Sequence, residues 1–143
     1  METLMTLARV LHSWTRWAFV IVAVVALVIF VLGLLQRQPW SKRAHSILNA
    51  YGSLLGLQWL FGVILLVSYG SVAGFNQRHL WEHLTIQTVA MIVANVHHAW
   101  RRRELADSVR WRNGLIVIVV SLVLAIVGIV LLPVGIQWRF FVP

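Results

Sequence analysis

The sequence predicts an all-α integral membrane protein: one domain over residues 1–143, built as a four-helix up-down transmembrane bundle with both termini outside. Three observations carry that fold class. The 143 residues are 60% hydrophobic and only 11% charged, and the mean hydropathy is +0.84, far from the balance of soluble chains. Long, mostly apolar runs recur four times, each near the ~20 residues that a helix needs to cross a bilayer's hydrocarbon. The charges fall mainly in the connectors between those runs, so the net charge of +8 reads as positive-inside bias and attraction to anionic lipid. Nucleic acid is excluded as a partner on that ground. Cysteine is absent, which excludes disulfides, iron–sulfur clusters, thiolate haem ligation and covalent haem attachment. Any metal must be held by His, Met or oxygen.

The first helix is expected over about residues 8–36, opening with LHSWTRW and continuing as the apolar body Ala18 to Leu35. That run is too long for a signal-peptide core and no small-residue cleavage site follows it, so the helix is expected to stay in the mature protein. His12 and Arg16 share a face one turn apart, and the face continues near Phe19, Ala23, Ala26, Phe30 and Gly33. QRQPWSKR, with one proline and three cations, makes a tight connector. The second helix, about 44–69, puts His45, Asn49, Gly52 and Gly56 on one stripe. Gly52 and Gly56 suit two purposes, a packing face for another helix or room for a flat cofactor, and both stay open here.

After the uncharged turn GSVAGFNQ, the third helix is expected over about 78–101, RHLWEHLTIQTVAMIVANVHHAWR. His83 and His97 are fourteen residues apart, within roughly 40° on one face and about 21 Å apart along the axis. Gln87, Ala90 and Ala94 lie between them, and the two alanines leave a shallow trough able to take a flat group. The charged connector RRRELADSVRWR is long enough to add a helical turn at the surface. The fourth helix, about 114–133, has no titratable group. It reads as a lipid-facing wall, where bulk at Gly128 should disturb a cofactor less than bulk at Gly52 or Ala94. The tail IQWRFFVP has the Trp, Arg and Phe of a headgroup boundary.

The connectors after helices one and three hold eight cations, Arg37, Lys42, Arg43, Arg101, Arg102, Arg103, Arg110 and Arg112. The other side holds four, Arg9, Arg16, Arg78 and Arg139. The excess places both connectors in the cytoplasm. His12, His79 and His83 then lie toward the outer surface, and His45, His97 and His98 toward the inner one.

Ionisable groups within a membrane are costly, so they face the bundle interior with a partner and point to function. As haem ligands, His12 pairs with His83 outside and His45 with His97 inside, with Arg16, Arg78, Lys42, Arg43 and Arg101 available to propionates. A metal or proton path would call for carboxylates or methionines within the spans, where Glu82 is the one nearby acid. The plain alternative is that interfacial histidines bond headgroups, the role assigned to His79 and His98.

The stretches HSWTRW, LGLQWLFGVILL and RHLWEH, with a run ending NVHH before a basic cluster, resemble small bacterial four-helix membrane proteins of the cytochrome b-like type. The resemblance covers most of the chain through short motifs. By matching position it singles out His12, Arg16, Trp17, Gln58, Gly62, Glu82 and His83. Relatives carry a histidine where this chain has Gly56, which leaves His45 as the ligand expected from helix two. The resulting expectation is a b-type cytochrome or haem-bearing subunit of the bacterial cytoplasmic membrane. One or two haem b groups held by His12, His83, His45 and His97, beside Arg16, Gly52, Gly56, Ala90 and Ala94, would carry electrons to other membrane subunits, redox proteins or quinone. The alternative is a cofactor-free structural or assembly subunit of a larger membrane complex.

Overall fold

A computed structural model describes residues 2–100 and 103–134. It is an all-α four-helix bundle: α1 (Glu2–Leu35), α2 (Lys42–Ala73), α3 (Arg78–Asn95), a 3-10 turn (Val96–Trp100) and α4 (Asp107–Val130). The helices pack in ring order, α1 on α2, α2 on α3, α3 on α4 and α4 back on α1. α1 and α3 therefore face each other across the diagonal. The expectation for the tail beyond Val134 lies outside the described residues, as does the one for Arg101.

The bundle closes on stripes spaced alternately three and four residues apart. α1 buries Phe19, Ala23, Ala26 and Phe30; α2 buries Ala44, Leu48, Tyr51 and Leu55; α4 buries Trp111, Gly114, Ile118, Ser121 and Ala125. This is the spacing that keeps one seam facing its neighbours in a left-handed bundle. The α1 stripe is the face read from the sequence. Between the stripes, large apolar side chains such as Ile21, Val24, Val28, Val119, Val123 and Val130 stand exposed, a surface suited to lipid rather than water. α1, α2 and α4 are each long and apolar enough to cross a membrane, which makes this a multi-pass membrane protein.

Three features differ from the sequence reading. Helical hydrogen bonding in α3 stops at Asn95, whose side-chain amide donates to the Met91 carbonyl at 2.9 Å, and the next five residues tighten into the 3-10 turn. α3 is thus 18 residues long, and it is not among the three helices with the length and apolarity to span. α4 starts at Asp107 rather than near residue 114, so the second half of the charged connector is helix.

The third difference is that α4 is more than a lipid-facing wall, since only one of its faces is exposed and apolar. It buries seven residues, including Gly114 and Gly128. An added Cβ on Gly114 would run into the Phe30 ring, and one on Gly128 would meet Gln87 Nε2 at 2.7 Å. Phe30, Trp40 and Trp111 pack edge to face with centroids 5.0–5.9 Å apart, and Trp111 Nε1 donates to the Gln38 carbonyl at 2.8 Å. That aromatic cluster ties the α1–α2 connector to the start of α4. Bulk at Gly128 would meet the Gln87 side chain, so this glycine is a packing position, as Gly52 is.

Candidate functional site

At one end of the bundle all four helices contribute to a cavity of ≈ 410 Å³. Its polar wall includes Arg9, His12 and Arg16 from α1, Gln58 from α2, and His83 and Gln87 from α3, while Leu and Ile side chains of α2 and α4 line much of the rest. The ends of α1 carry these groups toward the membrane surface, because a 34-residue helix is about 50 Å long and the hydrocarbon is about 30 Å thick.

His83 is held from α4. Its Nδ1 lies 2.7 Å from the Gly128 carbonyl oxygen. A carbonyl only accepts, so Nδ1 carries the proton. Gly128 lies in the last turn of α4, where carbonyls lack the usual helical partner, and its missing side chain lets α3 approach. Beside this bond, Gln87 Nε2 donates to the Ala125 carbonyl at 2.9 Å. In the neutral ring, Nε2 of His83 keeps its lone pair, and no hydrogen-bond partner for it exists among the described residues. An N–H locked on a carbonyl with the other nitrogen open is how metal-binding histidines are usually oriented.

His12 reaches the same cavity from the diagonal helix, but its ring is seated differently. Nδ1–H donates to the backbone carbonyl of Gln58 at 3.2 Å, and the Gln58 side-chain amide donates to Nε2 at 3.1 Å. Thr15 Oγ1 hydrogen-bonds Gln58 Oε1 in turn. One turn further along α2, an added Cβ on Gly62 would meet His12 Cε1 at 3.1 Å. The Gln-x-x-x-Gly pattern of helix two therefore has a physical meaning: glutamine binds both ring nitrogens and glycine makes room for the ring. Arg16 also lies with its guanidinium carbon 5.5 Å from the Trp17 ring centroid.

His45 and His97 meet at the opposite end, with ring centroids 6.4 Å apart at 73°. The Asn49 amide stands between them, 3.2 Å from His45 Nε2 and 2.9 Å from His97 Nε2. His97 Nδ1–H donates to the Ala94 carbonyl at 2.9 Å, and the ring is 1% exposed. In this arrangement both Nε2 atoms turn onto one amide, which leaves no slot between the rings for a macrocycle. The inner pair does not fit a haem as it stands.

Nor do the small residues form one cofactor trough. Ala90 and Ala94 are wholly buried within the core. Gly52 is a packing glycine, whose added Cβ would meet Asn95 Oδ1 at 2.8 Å and the Ala94 carbonyl oxygen at 3.3 Å. Gly56 has no neighbour within 4 Å of that position. His83 and His97 also engage different helices, the Gly128 carbonyl of α4 for one and Asn49 of α2 for the other. Arg78, expected at a propionate, is an exposed partner of Glu82 at 2.6 Å.

The sequence reading missed Arg9 as a cavity residue, although it stands three positions before His12 and so shares its face. It also missed Thr15 and the α4 carbonyls. Backbone carbonyls leave no signal in side-chain chemistry, but the spacing of Ser121, Ala125 and Gly128 does mark a small-residue seam.

The fold and this cavity define a class, a multi-pass four-helix bundle with imidazoles from two diagonal helices, His12 of α1 and His79 and His83 of α3, lining a common cavity at one end; His79, expected at headgroups, thus lines this cavity as well. No family model, curated protein or solved structure matches the chain. Among the described residues no three His, Cys, Asp or Glu side chains converge on one point.

Proposed function

We propose that the protein is a membrane b-type cytochrome holding one haem in the cavity between His12 and His83. The observation that carries this reading is His83: its Nδ1–H is fixed on the Gly128 carbonyl and its Nε2 is left open in a cavity that His12 also lines. The outer donor set fits the group. The two imidazoles come from diagonal helices, Arg9 and Arg16 line the same cavity for propionates, and leucine and isoleucine side chains offer a low-dielectric wall. Bound there, haem supplies one-electron chemistry, while the protein supplies ligation, orientation and exclusion of water. His12 must release the Gln58 amide to serve as the second ligand. The resemblance to cytochrome b-like membrane proteins points the same way. Electron exchange with membrane subunits or quinone, both connectors in the cytoplasm, and residence in a bacterial inner membrane belong to this proposal.

One specific observation favours the cofactor-free alternative: both nitrogens of His12 already have partners within the bundle. The visible spectrum of protein purified from a haem-replete host separates the two. A Soret band with sharp reduced α and β bands, lost in His83→Ala and kept in His97→Ala, is the expected result. Colourless, folded protein would reject the cytochrome, and full haem in His83→Ala would reject this site.

A further inference from the structure

The opposite end of the bundle holds a second depression, of ≈ 540 Å³, lined by Trp40, Lys42, His45, Trp100 and Arg110, with serine hydroxyls at its edge. Its side chains come from the α1–α2 connector, the first turns of α2 and α4, and the 3-10 turn. None of its described lining residues is acidic. Its donors outnumber its acceptors: the Lys42 ammonium and the indole N–H groups of Trp40 and Trp100 have no partner among the described residues. Arg110 gives one guanidinium nitrogen, Nη2, to the Arg103 carbonyl at 3.3 Å, which leaves most of its five N–H donors for other acceptors. α2 and α4 both begin at this end, so the positive ends of two helix dipoles add to the cations.

A pocket of cations and indole donors without a carboxylate calls for an anion rich in acceptor oxygens. Its level in the molecule decides the source of that anion. It lies at the ends of two membrane-spanning helices, where tryptophan sits among headgroups and basic pockets between helices take anionic lipid headgroups. We infer that this depression binds the phosphate headgroup of an anionic phospholipid, with Lys42 and Arg110 pairing to the phosphate and Trp40 and Trp100 donating to its ester and glycerol oxygens. The site is separate from the cavity of His12 and His83 and does not depend on a haem there.

Native mass spectrometry of the detergent-purified protein with added phosphatidylglycerol or phosphatidylcholine tests this. Wild type should retain one phosphatidylglycerol per chain in preference to phosphatidylcholine. Lys42→Gln and Arg110→Gln should each weaken that retention about fivefold and the double variant about twentyfold, while Arg78→Gln at the other end changes nothing. Lys42→Arg keeps the charge and should retain the lipid, which separates loss of binding from damage to the fold. Equal retention of both lipids by wild type, or undiminished phosphatidylglycerol on the double variant, would overturn the site. Inorganic phosphate that binds at millimolar concentration and displaces the lipid would overturn the lipid assignment in favour of a soluble anion.

Discussion

His12 and His83 differ by a single hydrogen bond. Both place Nδ1 against a backbone carbonyl, Gln58 for one and Gly128 for the other, but only His12 has its Nε2 engaged by a glutamine side chain. Gln58→Leu removes that amide and keeps the backbone carbonyl, so it should leave His12 oriented with Nε2 open, as His83 already is. A hydrogen bond is worth about 0.5–1.5 kcal/mol net. Haem titration of the apoprotein in detergent should therefore show two- to about tenfold tighter binding in the variant. Weaker binding would mean that glutamine supports the site rather than competing for its ligand.

Among the elements, the two glycines of α2 are the sharpest contrast. Gly52 touches α3, where an added methyl meets the Ala94 backbone oxygen and the Asn95 side chain, whereas Gly56 faces open space. Gly52→Ala should lower thermal stability by about 1–3 kcal/mol as an overpacked contact, and Gly56→Ala should leave it unchanged or slightly raised through helix propensity. Equal losses in a melting experiment would show a shared packing face. Gly128→Leu should be worse than either, because the side chain enters the space of Gln87 and parts α3 from α4. The His83 bond to the Gly128 carbonyl goes with it, so haem content should fall along with stability.

At the scale of the whole molecule, the ring order brings both basic connectors to one end and the His12–His83 cavity to the other. The positive-inside rule then predicts that the connectors face the cytoplasm. Because the chain has no cysteine, single-cysteine variants report this cleanly. In intact cells, Asn76→Cys should react with a membrane-impermeant maleimide and Gln38→Cys should react only after lysis. The reverse pattern would invert the topology and place the His12–His83 cavity at the cytoplasmic face.

Much of this was legible in the residues themselves. Hydrophobic runs set the four helices, because burying a polar backbone in lipid requires them. The α1 stripe from Phe19 to Phe30 followed from periodicity, and the pairing of His45 with His97, like the sharing of an outer cavity by His12 and His83, followed from alternating helix direction. What periodicity does not carry is which polar atom stands beside which. Asn49 between the inner rings, Gln58 on both nitrogens of His12, and the Gly128 carbonyl under His83 depend on contacts between residues 45 to 48 positions apart. The 3-10 turn after Asn95 and the burial of α4 belong with them. Each depends on how closely two helices approach, and only the packed bundle decides that distance.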